Sequence, residues 1–339
     1  MDNENKDSDR QAFIVELYAY VLKRSPSEKE LQAWTDAATR LSAAEVVRRF
    51  GASAEYKLRN KVTPFFPVGH YHSPVVDPST LGDYVESRRD PGPAGFGGIN
   101  IDITAMEEFW NANVSSIFNA PFPETKTAER RFYFDGAPFP YGDALTLHAI
   151  MGHFRPKRIV EIGSGFSTAC MLDSAEIHGM NDLQITCIEP YPDRLHSLLR
   201  PDDRSRVKLL ERPVQEVPVQ DIVAGLERND ILFIDSTHVM KTGSDVHYEL
   251  FEIIPAVNPG VIIHVHDCGY PFEYPPEWVE KNYSWNEAYA IRAFLMYNLS
   301  YKIIFWGSLF KALFPEKVRQ EGGMFIKNAG ASLWLTRIS

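Results

Sequence analysis

Short apolar runs alternate with helical stretches from Arg158 to the end of the chain, the pattern of a parallel sheet joined by crossover helices. The runs predict strands at 158–162, 184–188, 206–210, 230–234, 260–265, 301–306 and 332–338. The last two flank a long excursion and suggest an antiparallel finish. Upstream, Phe13, Leu17, Tyr20 and Val21 recur at helical spacing. Ser27 with Glu30 and Ser42 with Glu45 have capping-box spacing, so residues 1–60 read as a small all-helical module. Residues 61–100 are rich in Pro and Gly and predict little regular structure. Helices are expected again up to 155, stopped by Pro156. The expected division is therefore a helical module at 1–60, an irregular and helical segment at 61–155, and an α/β domain at 156–339.

Composition adds limits. The 339 residues, 44% hydrophobic, suffice for a substantial core. With 45 acidic against 35 basic side chains the formal charge is -10, which disfavours nucleic acid and anionic lipid as partners. Cys170, Cys187 and Cys268 have no CxxC spacing and leave an odd thiol, as expected in a reducing compartment. The polar start MDNENKDSDR and the lack of a bilayer-length apolar run predict a cytoplasmic protein.

The chemistry starts at VEIGSGFST, residues 160–168. Gly163 and Gly165 follow the first strand, but Thr168 stands where a dinucleotide fingerprint has its third glycine. Glu161 would repel a pyrophosphate at the helix start. S-adenosylmethionine, with an ammonium and a sulfonium but no phosphate, suits that carboxylate better. Glu189 closes the second strand, where a carboxylate accepts ribose hydroxyls. Val214 and Gln215, after the third strand, are candidates for the adenine wall and its hydrogen bond. A plain strand-to-helix turn needing glycine for backbone reasons is the competing reading.

DILFIDSTH ends the fourth strand with Asp235, with His238 three residues on, and GVIIHVHD ends the fifth with His266 and Asp267. Carboxyl ends of parallel strands line the ligand crevice, so these groups are expected beside the glycine turn. Adjacent strands lie about 4.8 Å apart, which lets Asp235 and Asp267 share a divalent cation. Oxygen ligands favour Mg2+, and participation of His266 would admit Mn2+. His238 is the expected base for a hydroxyl nucleophile. His264 is expected to turn away from His266 as a buried structural histidine. A zinc site joining His70 and His72 to HVHD has no spacing in its favour. Tyr270, Phe272, Tyr274, Trp278, Tyr283 and Trp285 are candidates to cover the site and stack on a sugar face.

EIGSGFST, IEPYP, IDSTHVMKTGSDV and HVHD together resemble a bacterial family of class I S-adenosylmethionine-dependent methyltransferases. The likeness covers nearly everything after residue 60. It implies a Rossmann-like sheet of seven strands, the last antiparallel. The D-x-x-H and strand-five acidic pair are more distantly similar to Mg2+-dependent macrolide sugar O-methyltransferases. That likeness puts metal ligands at Asp235 and Asp267 and a base at His238, although His266 stands where those enzymes tend to carry glutamate. By the same resemblance, Ser164, Gly163, Gly165 and Thr168 belong to the cofactor turn, and the stretch Tyr141-Gly142-Asp143 closes over the methionine end. Residues 10–60 resemble a phycobilisome-linker-like helical domain often fused to glycan-modifying enzymes, which points to a sugar or glycan-linked small-molecule acceptor and makes the module a candidate for binding a protein partner. Homo-oligomer formation stays open. Rival readings are a non-catalytic cofactor-binding module recruited through the N-terminal helices, and a nicotinamide oxidoreductase, which Thr168 and Glu161 disfavour.

Overall fold

A computed structural model describes residues 2–22, 24–53, 66–88 and 96–339. The expected boundary at residue 60, and parts of the Pro- and Gly-rich segment at 61–65 and 89–95, lie outside the described residues. The chain divides into two compact units, Met1–Asp77 and Pro78–Ser339.

In the first unit, helices Asp2–Leu17, Glu28–Ala38 and Ala43–Gly51 pack around Ile14, Tyr18, Leu22, Val46 and Phe50. Of the expected stripe, Phe13, Leu17 and Val21 pack partly buried against this core, while Tyr20 is 81% exposed and Ile14, Tyr18 and Leu22 are the most buried. Residues Tyr18–Leu22 wind as a π-turn, which changes the facing of side chains after Leu17. The capping box at Ser27 forms in full, with Ser27 N donating to Glu30 Oε2 at 2.8 Å. At Ser42 only half forms. Its hydroxyl accepts from Glu45 N, while the Glu45 carboxylate pairs with Arg48 and Arg49. His70 and His72 lie in this unit, their rings gathered with Phe66 and Tyr71.

The second unit is built on one seven-stranded sheet of order β3-β2-β1-β4-β5-β7-β6. The strands are β1 Arg158–Ile162, β2 Gln184–Ile188, β3 Val207–Leu210, β4 Ile231–Ile234, β5 Ile262–Val265, β6 Tyr301–Trp306 and β7 Leu333–Arg337. Each falls within two residues of its predicted place. The strands β1 to β5 pair in parallel, while β7 runs antiparallel between β5 and β6. Every residue of β4 and β5 is buried, because helices cover both faces of a parallel sheet and only apolar runs tolerate that.

Helix Tyr141–Phe154 ends as expected before Pro156, with Arg155 left-handed at its C-terminus. Its first turn is clasped to the loop that enters β7. Gly142 N donates to Asn328 O at 2.7 Å, and a Cβ there would fall 2.0 Å from the Ala329 carbonyl carbon. Asp143 completes the clasp, its Oδ1 accepting from the backbone of Ala331 and Ser332.

Candidate active site

The strand order reverses at β1, which has β2 on one side and β4 on the other, so the loops after β1 and β4 part around a crevice. The turn after β1 is tight. Gly163 is left-handed at φ 79°, and a Cβ there would lie 1.8 Å from the Asp235 carbonyl oxygen. Glycine is thus what lets the turn lie directly on the end of β4.

Of the expected cofactor residues, Glu189 and Thr168 bond directly to this turn. Ser164 N donates to Glu189 Oε2 at 3.1 Å, and Tyr191 N donates to Glu189 Oε1 at 2.8 Å. Gly165 N donates to the Thr168 hydroxyl. Val214 is buried beyond β3, whereas exposed Gln215 gives its side-chain amide to Gly243 O at 3.0 Å. Glu161 departs from the picture of a carboxylate facing a ligand. It is fully buried under the turn, accepting from Ser167 and Thr168 hydroxyls at 2.5 Å and from the Cys187 thiol at 3.3 Å. Burial pushes its pKa up to about 7 against those three donors. In this structure Glu161 organises the start of helix Phe166–Ile177.

Asp235, His238, His266 and Asp267 come together at the ends of β4 and β5. His238 Nε2 lies 3.6 Å from Asp235 Oδ1 and 3.5 Å from Asp267 Oδ2. His266 Nε2 lies 3.6 Å from Asp267 Oδ1. Both His238 and Asp267 are left-handed, at φ 60° and 50°, an uncommon backbone that aims adjacent side chains at one point. His264 was expected to turn away from His266. Residues two apart on a strand share a face, and the two rings lie 5.7 Å apart. His264 is nonetheless buried, stacked on Phe233 and bonded to Ser332 Oγ at 2.8 Å.

One partner was missed altogether. Glu287 Oε2 lies 2.8 Å from His238 Nδ1, both groups buried. It opens helix Glu287–Leu295, and Asn286 N and Glu287 N both donate to the His238 carbonyl. Asn286 also bonds the backbone of Met240, so two chain segments far apart in sequence are laced together here. Burial would hold His238 neutral, but the Glu287 hydrogen bond and the charges of Glu287, Asp267 and Asp235 outweigh it and raise its pKa. With Nδ1 committed to Glu287, Nε2 is the nitrogen turned toward the crevice.

The residues expected to bind metal do not fit one. Among the described residues no three His, Cys, Asp or Glu side chains are arranged to hold an ion. The chemistry of the set agrees. Burial works against a charge on His266, yet Asp235, Asp267, Asp143 and Glu287 push its pKa up to about 9. A protonated His266 has no lone pair for a metal, which leaves Asp235 and Asp267 as the remaining expected ligands.

Beside this cluster opens a cavity of about 430 Å³. Tyr270, Tyr274, Trp278, Tyr283 and Trp285 line it, together with Asp267 and Asp143. Trp285 also packs on His238 at 4.5 Å between ring centres. Phe272, expected with these aromatics, is instead fully buried against Trp306. None of the glycine turn, Glu189 or Val214 reaches the cavity wall.

A family profile described as a methyltransferase domain matches residues 160–268, which span the glycine turn and both histidine-bearing loops. An uncharacterized protein of Archaeoglobus fulgidus is 30% identical over 166 residues, covering 46% of this chain and 72% of that one. Residues 160–268 of the chain thus form a methyltransferase domain. Among solved structures, a Podospora anserina methyltransferase with SAH bound is 14% identical to this methyltransferase, covering 77% of this chain and 94% of that one at a TM-score of 0.37. The O-methyltransferase TomG of Streptomyces achromogenes, in complex with SAM, is also 14% identical, covering 71% and 92% at 0.38. At such scores the fold rests on the methyltransferase's own strand order. No helix among the described residues is long and apolar enough to cross a membrane.

Proposed function

We propose that this methyltransferase transfers the methyl group of S-adenosylmethionine to a hydroxyl of a sugar or glycan-linked small molecule. The observation that carries the reading is the buried His238, held through Nδ1 by Glu287, with Nε2 turned toward Asp235 and Asp267 beside an aromatic cavity. In this reading Gly163, Ser164, Gly165 and Thr168 shape the cofactor turn, Glu189 receives the ribose hydroxyls, and Val214 with Gln215 borders the adenine. Glu161 acts from beneath by fixing the turn.

The acceptor hydroxyl lies against His238 Nε2, which takes its proton as oxygen attacks the methyl carbon. The C–S bond breaks, the C–O bond forms, and S-adenosylhomocysteine leaves. Asp235 and Asp267 orient the hydroxyl and stabilise the imidazolium once formed. Aromatic faces suit the C–H faces of a sugar ring. No step passes through a metal ion. The test is product analysis with labelled S-adenosylmethionine and a monosaccharide panel, before and after EDTA treatment. Label on oxygen, with turnover kept after EDTA, is expected. Label confined to carbon, or an absolute need for Mg2+ or Mn2+, would contradict the scheme.

Glu287 gives the scheme a pH signature. His238 must be neutral to act, so turnover rises with pH through a pKa above the ordinary histidine value of about 6.5. Glu287→Gln removes a carboxylate that favours the imidazolium, so the rising limb moves to lower pH while the rate on the alkaline plateau falls. A limb that stays in place would separate Glu287 from the base.

A further inference from the structure

The cavity beside His238 has a one-sided charge pattern. Asp143, Asp267 and Glu273 border it, and no Lys, Arg or His side chain is among the described residues that line it. Asp143 is fully buried, and while its Oδ1 accepts from Ala331 and Ser332, its Oδ2 has no hydrogen-bond partner. Burial pushes the Asp143 pKa up to about 6, which still leaves a carboxylate at neutral pH. A buried anionic oxygen without a donor is unfavourable, and a ligand that brings one relieves the cost. Glu273 takes a hydrogen bond from Tyr289 at 2.9 Å; burial raises its pKa, and Arg88 and Arg292 act against that from outside the lining.

An anionic acceptor, such as a uronic acid or a phosphorylated sugar, would meet like charge from the lining, since the nearby His266 imidazolium is already set among Asp143, Asp235 and Asp267. A cation would find carboxylates and aromatic faces together, the combination that recognises ammonium groups. The cavity volume is within the size range of small-molecule sites.

We propose that the acceptor binds as a cation: a hydroxylated amine of monosaccharide size, with an amino sugar the fitting class. The inference rests on the O-methylation reading and narrows its substrate. A protonated nitrogen has no lone pair, so its binding by the cavity carboxylates leaves a neighbouring hydroxyl as the nucleophile. The methyl carbon then passes from sulfur to that oxygen, and the hydroxyl proton goes to His238.

The test titrates the protein loaded with S-adenosylhomocysteine at pH 7 with glucosamine, N-acetylglucosamine, glucose and glucuronate. Glucosamine is expected to bind about tenfold or more tightly than glucose or N-acetylglucosamine, with glucuronate weakest. Glu273→Gln, a change at the rim that leaves the Asp143 clasp intact, should shrink the glucosamine advantage. Equal or weaker binding of glucosamine, with S-adenosylhomocysteine still bound, would overturn the proposal. Products of S-adenosylmethionine and glucosamine then separate the two readings. Methyl on oxygen supports both, whereas glucosamine preference with methyl on nitrogen keeps the cation site and removes the hydroxyl acceptor.

Discussion

Replacing His238 with Ala should lower turnover by about 10²- to 10⁴-fold, the usual contribution of a positioned base, while affinity for S-adenosylmethionine stays within a few-fold of wild type. The split follows from where the ring sits. His238 lies among Asp235, Asp267, Glu287 and Trp285, close to the aromatic cavity and apart from the Ser164–Glu189 contact. Its side chain is buried, so the variant also leaves Glu287 without its imidazole. A modest fall in thermal stability is therefore expected, and His238→Gln, which keeps a polar group near Glu287, separates stability from chemistry. Single-turnover rates with saturating cofactor check the prediction. A rate within threefold of wild type would remove His238 from the mechanism.

Gly163→Ala should abolish cofactor binding. The left-handed backbone at φ 79° alone costs a side chain roughly 1–3 kcal/mol. The added methyl carbon would also sit 1.8 Å from the Asp235 carbonyl oxygen, which is backbone and cannot swing away. The turn must lift off β4, which disturbs Ser164 N and its bond to Glu189, and moves Asp235 in the same displacement. Both halves of the site should fail together. Calorimetry with S-adenosylmethionine, read beside a thermal melt, distinguishes a lost site from a lost fold. Unimpaired binding would show that the turn does not hold the cofactor.

The strands were legible because a doubly covered parallel sheet demands short apolar runs; ILFI is one, and IIHV departs from it only at His264. Asp235, His238, His266 and Asp267 were legible because strand ends of a parallel sheet open on one crevice. What failed was local orientation. Glu161 has the sequence position of a ligand-facing residue, yet the hydroxyls of Ser167 and Thr168 draw it beneath the turn. His264 and His266 share a face through the period of two that governs every strand. Tyr20 left the core because of a π-turn that apolar spacing does not signal. Glu287 depends on a contact with distant His238 that no local pattern announces, and Asp143, singled out only by resemblance, is held by distant Ser332. The metal expectation rested on the paired carboxylates, on His266 and on a resemblance, whereas among the described residues no three such side chains are arranged to hold an ion, and the imidazole of His266 is set among Asp143, Asp235 and Asp267.

A calorimetric titration of the purified protein with S-adenosylmethionine, run with and without Mg2+, tests the central claim most directly. Saturable binding at one site per chain, unchanged by Mg2+, retained in His238→Ala and lost in Gly163→Ala, is the predicted result. Absence of binding to the folded wild-type protein would contradict a methyl-donor site at the VEIGSGFST turn.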